Sequence, residues 1–163
     1  MQSSQIAWLA GIIDGEGCFS IFRRTNKSKN GNIIITPTAS ITITNSNLAI
    51  IEECRRILNT LGVKFTLKNP RNSKSRLLER LDIRNYISIL HLIDTSLPYI
   101  IGKKEQAILM REFVDKALKR RNFSASSDRI NFLDRMSKLN KFGQFIRRDY
   151  ALNSSHLLKI SER

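Results

Sequence analysis

The sequence predicts an α+β fold with elements in the order αββαββα, followed by further helices. Three stretches of helical periodicity alternate with two pairs of extended stretches, and short polar loops join the members of each pair. Strands joined by such loops pair antiparallel, so the four strands should form one sheet with an apolar face against helices and an open polar face. The 163 residues correspond to one domain, with a core over about 5–121 and a helical, basic extension over 122–163.

The first helix is expected over residues 5–14. Its small and apolar residues fall on two stripes with helical spacing, Ile6, Leu9 and Ile13 on one and Ala7, Gly11 and Gly15 on the other. Glycine in a helix costs about 1 kcal/mol relative to alanine, so two glycines on one face need an explanation. Close approach of another backbone, such as a second copy of this helix, would supply one.

Two hairpins follow. The first has strands over 18–24 and 33–44, and the second has strands over 63–69 and 76–83. Residues 33–44 alternate between an apolar face and a hydroxyl-rich face, the pattern of a half-buried strand. Pro37 within this strand favours an edge position or a bulge.

Four more helices complete the prediction, over 48–61, 86–97, 103–121 and 127–140, and the tail from 141 onward is basic with weak periodicity. Asn47 is a candidate N-cap for the first of them, and Gly62 stands where a glycine ends a helix. Pro98 ends the second.

Charge is the most informative bulk property, because Lys and Arg number 28 against 14 Asp and Glu, a net charge of +14. Residues 18–44 and 64–84, which cover the two hairpins, hold eleven of the basic residues and only two acids, Glu79 and Asp82. An excess concentrated on a sheet indicates a polyanionic partner, although wet strand faces and solubility are simpler explanations. A membrane binder should show a basic amphipathic helix, and no segment fits that pattern well. Nucleic acid is therefore favoured.

The candidate DNA-binding residues are hydroxyls and cations of the strands and loop tips, with Phe22, Asp82 and two lysines beyond the sheet. They are Ser20, Phe22, Arg24, Lys27, Lys29, Thr36, Thr38, Ser40, Thr42, Lys64, Thr66, Lys68, Arg71, Arg76, Arg80, Asp82, Arg84, Lys138 and Lys141. Such groups read base edges and phosphates in a major groove, which admits a β-ribbon.

Other classes of site are disfavoured. Cys18 and Cys54 lack metal-ligand spacing, and His91 and His156 are far apart, so a zinc site or a histidine–cysteine pair is not expected. No apolar stretch is long enough to span a bilayer, and the N-terminus does not have the pattern of a secretory signal. We therefore expect an intracellular protein without a small-molecule cofactor.

The segment 9–19, L-A-G-I-I-D-G-E-G-C-F, ends a helix in two acids separated by glycine. Acids at a helix C-terminus are electrostatically disfavoured, so a divalent metal or an opposed Lys or Arg should offset Asp14 and Glu16. Carboxylate and carbonyl oxygens are ligands that suit Mg²⁺, which also binds phosphate.

This segment resembles the motif of the LAGLIDADG homing endonucleases and related intron maturases. The resemblance continues in Ile43-Thr44-Asn45, in Leu61-Gly62 and in P-Y-I-I-G-K-K-E-Q-A over 98–107, and it spans about 6–113. It implies a saddle-shaped sheet over the DNA major groove and a staggered cut across the central minor groove. The motif occurs once, so the resemblance implies a homodimer and a pseudo-palindromic target.

In the dimer that the resemblance implies, the motif helices of two chains pack together around the twofold axis. The interface residues would be Ala7, Trp8, Ala10, Gly11, Asp14 and Gly15. Glu16 and the carbonyl of Gly15 would bind Mg²⁺, with Mn²⁺ able to substitute and Ca²⁺ expected to bind without supporting cleavage. Lys103 and Asn45 would be further catalytic residues.

Three departures from the family's usual pattern affect these assignments. Glu stands at position 16 in place of Asp, Asn stands at position 45 in place of Gln, and the basic residue that some members carry early in the second helix has no clear counterpart near Ala49. Simpler roles also stay open: Asp14 as a partner of backbone amides, Lys103 as a surface lysine, and Asn45 as a helix cap. Two rival functions are an intron RNA maturase and a DNA-binding regulator that does not cleave. The implied enzyme would be intron-encoded and would act in a prokaryotic cytoplasm or nucleoid, or in an organelle.

Overall fold

The computed structural model describes residues 2–27, 30–31, 33–68, 78–119 and 129–141, with only the backbone for 33–35. The helices and strands are α1 (Ser3–Glu16), β1 (Gly17–Lys27), β2 (Ile33–Asn45), α2 (Leu48–Thr60), β3 (Thr66–Lys68), β4 (Glu79–Ile83), α3 (Tyr86–Ser96), a 3-10 turn (Leu97–Tyr99), α4 (Lys104–Lys119) and α5 (129–141). The predicted order αββαββα with later helices is confirmed.

One antiparallel sheet in the order β1-β2-β4-β3 forms the centre of the fold. The long hairpin of β1 and β2 pairs without interruption from Gly17–Ile43 to Lys27–Ile33. Although β2 is an inner strand, β4 pairs only with its last part, from Ile41 to Asn45. Pro37 faces β1 alone, so its missing N–H leaves the β2–β4 ladder intact. Pro37 was predicted to lie at an edge or a bulge. It lies in a part of β2 that pairs on one side only, which is locally an edge, and its pairing with β1 has no bulge.

The apolar face of the sheet packs against the helices and forms the core. Ala39, Ile41, Ile43, Leu81 and Ile83 are all fully buried on this face. Each such aliphatic side chain contributes about 1.5–3 kcal/mol when buried, except the smaller alanine. The sheet therefore has one buried face and one polar face, as the alternation predicted.

The helix α5 joins this core through aromatic contacts. The ring of Phe132 lies 5.6 Å from the ring of Phe113 on α4 at an angle of 69°, an edge-to-face geometry. Phe113 contacts the Tyr86 ring of α3 in the same way, at 6.3 Å. These contacts fix α5 beside the sheet, which matters for the lysines at its end.

The predicted caps lie where the sequence placed them. The Asn47 side chain accepts a hydrogen bond from the Ala49 amide at 3.0 Å and caps α2. Gly62 has φ +68, a left-handed conformation that ends α2. The prediction for β3 was too long, because the Lys64 amide donates to the Ser88 hydroxyl at 3.0 Å instead of to a neighbouring strand.

Within the described ranges, every helix is too short or too polar to traverse a lipid bilayer.

Candidate nucleic-acid interface and metal position

The outer face of α1 carries small residues and one exposed tryptophan. Ser4, Trp8, Gly11 and Gly15 are exposed and recur at helical spacing, and we call them the glycine stripe. A Cβ added at Gly11 or Gly15 would meet no atom within 4 Å. Contacts among the described residues therefore give no reason for glycine at either position.

Ala7 borders the glycine stripe and is half-buried, whereas Ala10 lies on the opposite side of α1. Ala10 is fully buried in the core beside Leu9 and Ile13. In a helix, consecutive residues point about 100° apart, so Gly11 can face outward while Ala10 faces inward. The prediction that Ala10 belongs to an interface with a second chain is wrong for its side chain.

Asp14 joins the end of α1 to the loop before α4. Its carboxylate accepts hydrogen bonds from the amides of Ile101 at 2.7 Å, Gly102 at 3.1 Å and Lys103 at 2.9 Å. The simpler of the two roles considered for Asp14, as a partner of backbone amides, is the one the structure has. Asp14 is half-buried and its carboxylate is engaged within the chain.

The side chain of Lys103 forms a second connection between this loop and the end of α1. Its ammonium donates to the carbonyl oxygens of Gly17 at 2.6 Å and Ile13 at 3.1 Å. These carbonyls belong to the negative end of the helix dipole, so a cation there stabilises α1. A side chain at position 17 would clash, because its Cβ would lie 2.5 Å from the Ile13 oxygen. The structure thus brings Lys103 to the end of the motif, and its part in catalysis stays a prediction.

Glu16 is the last residue of α1 and is exposed, in contrast to Asp14. Asn45 lies at the same end of the sheet, two positions beyond Ile43, which pairs with Gly17. The side-chain oxygen of Asn45 accepts from the Asn47 amide at 2.8 Å, so it shapes the turn into α2.

A single chain does not supply a complete cation site. In the part of the chain that the structure describes, no three His, Cys, Asp or Glu side chains come together. Glu16 and the carbonyl of Gly15 are oxygen donors of the kind Mg²⁺ accepts. These donors fit a metal shared by two chains, because a second copy would double the carboxylates.

The polar face of the sheet is assembled from all four strands. Antiparallel pairing places side chains in rows across this face, and the rows follow from the register: Arg24 with Thr36, Phe22 with Thr38, Ser20 with Ser40, Cys18 with Thr42, Asp82 and Thr66, and Thr44 with Arg80 and Lys68. Most predicted DNA-binding residues of the strands therefore share one surface. Lys64 and Arg84 are exposed at strand ends, and Lys27 is exposed toward the tip of the hairpin.

Ser40 corrects one of these predictions. It lies on the polar face but is only 3% exposed. Its hydroxyl is therefore not available to a base edge as the alternation suggested. Thr36, Thr38 and Thr42 are half-buried and keep an accessible surface.

The remaining predicted residues fall into two groups. Lys138 and Lys141 are exposed at the end of α5. Asn140 between them donates from its side chain to the backbone oxygen of Phe19 at 3.0 Å, which ties α5 to β1. Sequence reasoning missed Asn140, because no local pattern signals a contact 121 residues away. Lys29, Arg71 and Arg76 lie outside the described residues.

Asp82 requires a second correction. Its side chain has no exposed surface, so it does not reach DNA directly as predicted. Burial alone would raise the pKa of Asp82, but hydrogen bonds from Arg80 and Lys68 and the charges of Arg80 and Arg84 outweigh it and hold the pKa below its usual value. The signal for this role was present in the sequence, since Arg80, Asp82 and Arg84 alternate at a spacing of two on one strand face.

A glycine-faced helix that ends in an exposed carboxylate, beside a basic four-stranded sheet, is the architecture of a homing-endonuclease fold. The chain belongs to the LAGLIDADG-like domain family, which it matches over residues 3–95, more than half its length. No curated protein matches the chain.

Solved structures of homing endonucleases share the fold. I-CvuI in complex with its target in the presence of calcium has a TM-score of 0.69 and 19% identity, over 84% of this chain and 82% of that one. The archaeal intron-encoded I-Vdi141I complexed with DNA has a TM-score of 0.62 and 20% identity, over 88% and 84%. For I-TnaI the TM-score is 0.60 with 12% identity, over 88% and 98%.

Proposed function

We propose that the protein is a metal-dependent, site-specific endonuclease that cuts both strands of a long pseudo-palindromic DNA target as a homodimer. The observation that carries the proposal is the placement of Glu16. Its exposed carboxylate ends the helix that bears the glycine stripe, whereas the neighbouring Asp14 is engaged by three backbone amides. Two copies packed on this stripe would bring two Glu16 carboxylates together.

The homodimer is inferred from the same helix. The open space at Gly11 and Gly15 would admit the backbone of a second α1, which explains glycine where the chain's own packing does not. Trp8 on the stripe is 38% exposed and would gain burial in the same contact. A twofold contact uses one surface on both chains, so no second binding surface is needed.

The proposed DNA surface is the polar face of the sheet. It carries cations and hydroxyls of β1, β2, β3 and β4, and β1 begins directly after Glu16. A duplex lying along this face would place its phosphates near the end of α1. The DNA complexes of I-CvuI and I-Vdi141I have the same fold, which supports double-stranded DNA as the ligand.

Mg²⁺ is the proposed cofactor, held by the Glu16 carboxylates and Gly15 carbonyls of the two chains. When bound, it would polarise the phosphate and activate water for hydrolysis. Lys103 fixes the end of α1 through the Ile13 and Gly17 carbonyls and adds positive charge beside it. Asn45 is proposed to order water near Glu16 through its side-chain nitrogen, since its oxygen accepts from Asn47.

The test is cleavage of a randomised duplex DNA library with purified protein and Mg²⁺, followed by sequencing of the ends. We expect ends that share one pseudo-palindromic sequence with a constant stagger, cutting with Mn²⁺, and binding without cutting with Ca²⁺. Sequence-specific binding with no cut under Mg²⁺ or Mn²⁺ would identify a regulator instead. Binding to a host intron RNA with promotion of splicing, and no cut in DNA, would identify a maturase.

Origin and location follow from the proposed activity. I-Vdi141I, which shares the fold, is intron-encoded, and we propose the same origin for this protein, with genomic DNA as its target. We therefore expect it in a prokaryotic cytoplasm or nucleoid, or in an organelle.

A further inference from the structure

The polar face of the sheet contains one buried acid among its cations. The Asp82 side chain has no exposed surface and contacts Lys68, Arg80 and Arg84, whose own side chains are 41–48% exposed. We call these four residues the Asp82 cluster. Three positive charges and one negative charge leave the cluster with an excess of two positive charges.

Every contact in the Asp82 cluster has hydrogen-bond or ion-pair geometry. The Nε of Arg80 donates to Oδ1 at 2.6 Å, Nη2 of Arg84 donates to Oδ2 at 3.1 Å, and Nζ of Lys68 lies 3.1 Å from Oδ2. Both carboxylate oxygens are therefore engaged. Because Arg80 contacts Asp82 through its innermost guanidinium nitrogen, this contact does not use its two outer nitrogens, which are also donors.

The backbone beneath the cluster is held on both sides. Asp82 pairs with Thr42 of β2 and with Thr66 of β3, so its position is set by two neighbouring strands. Cations bonded to a fixed anion lose rotamer freedom before any ligand arrives. Ordering a long side chain on binding otherwise opposes association, because the side chain loses rotamer freedom at that step.

An acid at this position weakens the attraction of the surface for phosphate. A surface that only needed affinity for DNA would gain from a neutral residue here, because each unpaired cation adds to counterion release. Burying a carboxylate also carries a desolvation penalty that its partners must offset. Fixed geometry is what Asp82 provides in exchange, and fixed donors discriminate between base pairs better than mobile ones.

We propose that Asp82 is a positioning residue for sequence recognition, which holds Arg80, Arg84 and Lys68 in the directions needed to read base edges. This inference rests on the proposed function, because it requires the sheet to bind DNA. It assigns Asp82 an effect on the choice of sequence rather than on overall affinity.

The experiment is selection of bound duplexes from a randomised DNA library in Ca²⁺, with wild type, Asp82→Asn and Asp82→Glu. For Asp82→Asn we expect preference at the affected base pairs to fall about tenfold, while affinity for random duplex stays equal or rises about threefold. Asp82→Glu keeps the net charge and lengthens the side chain, so we expect changed base preferences at similar affinity.

Asp94→Asn is the matched control. Asp94 forms an ion pair with Arg111 between α3 and α4, away from the sheet, and its substitution changes the net charge by the same amount. We expect this variant to select the same sequences as wild type with equal strength.

The outcomes separate the inference from the proposed function. If wild type enriches no sequence, site-specific recognition itself fails, and the inference fails with it. If wild type enriches a sequence and both folded Asp82 variants enrich it equally well, the inference alone is overturned. If the Asp82 variants bound all duplexes more weakly but preferred the same sequences as wild type, the inference would also be overturned, and the role of Asp82 would be structural only. Should Asp82→Asn fail to fold, Asp82→Glu decides the question alone.

Discussion

The helical layer and the sheet use charge in opposite ways. On α2, ion pairs join one cation to one acid a turn away, as in Arg55–Glu52 at 2.7 Å and Arg56–Glu53 at 2.6 Å. On the polar face of the sheet, Asp82 alone serves three cations.

This difference shows where the net charge of +14 acts. Paired charges on an exposed helix stabilise it by about 0.3–0.5 kcal/mol each, and their fields largely cancel at a distance. The unbalanced charges of the sheet reinforce one another and attract a polyanion to that face. Net charge thus predicts a partner, and the distribution of acids predicts which surface the partner contacts.

The largest expected effect comes from the junction between the two layers, where Glu16 ends α1. Replacing Glu16 with Gln removes the charge needed for metal and should reduce cleavage at least about 100-fold, while DNA affinity changes less than about threefold. Cleavage of the selected target and binding in Ca²⁺ measure the two quantities. Glu105→Gln, at an exposed acid of α4, should cleave like wild type. Cleavage at the wild-type rate by the Glu16 variant would refute the site.

The next effect concerns the helical layer alone. Gly11→Leu has open space in the chain, so the fold should keep its stability or gain up to about 1 kcal/mol from helix propensity. The added side chain should nevertheless block close packing of two α1 helices and weaken dimerisation at least about tenfold. Analytical ultracentrifugation and thermal unfolding measure these two results. Ala49→Leu adds a similar side chain at an exposed position of α2 and is the control. If this variant lost dimerisation to the same extent, the glycine stripe would be excluded as the dimer interface.

A smaller effect is expected on DNA binding when one cation is removed from the sheet or from a helix. Arg24→Gln on the sheet should weaken DNA binding several-fold and lower the slope of log affinity against log salt by about one. Arg56→Gln on α2 removes the same charge from a one-to-one pair and should leave the slope unchanged. Fluorescence anisotropy over a range of salt concentrations distinguishes them. Equal slopes for Arg24→Gln and wild type would argue against the polar face as the DNA surface.

The smallest expected effect is on stability against acid. The pKa of Asp82 is lowered in the folded protein from its ordinary value of 3.8, mainly by the hydrogen bonds from Arg80 and Lys68 that outweigh desolvation. The stabilisation it gives is therefore complete above pH 3.8 and is lost as pH falls through the lowered value. Urea unfolding measured between pH 5 and about 2 gives the free energy of unfolding at each pH. We expect this free energy to fall less steeply with decreasing pH for Asp82→Asn than for wild type. Parallel curves would contradict the role of Asp82 as a paired carboxylate.

Local chemistry explains which parts of the fold were predictable. Alternation over 33–44 fixed the two faces of β2, Asn47 and Gly62 fixed the ends of α2, and the motif at 9–19 fixed the junction of α1 and β1. Each of these signals lies within a few residues. The motif also predicted that a metal or an opposed Lys or Arg would offset Asp14 and Glu16. The Lys103 ammonium lies on the carbonyls of Ile13 and Gly17 at this helix end, and the offset of the two carboxylates themselves stays a prediction.

The errors arose where packing across distant segments decided the outcome. Alanine suits a core and an interface equally, so Ala10 could not be assigned without knowing which side of α1 met the sheet. Ser40 has the residue type of an open strand face, but the folded chain buries it to 3% exposure. The Lys64 amide turned to Ser88 of α3 and shortened β3, a choice made by a contact 24 residues away.

The sequence by itself determined the order of elements, the two faces of the long hairpin, the excess of positive charge and the family motif, because each depends on spacing along the chain. Only the tertiary structure decided that Asp14 holds the loop before α4, that Asn140 anchors α5 to β1 and that Asp82 gathers three cations. The partners of a polar side chain depend on distances and on desolvation in the folded state, and the spacing of residues along the chain gives neither quantity.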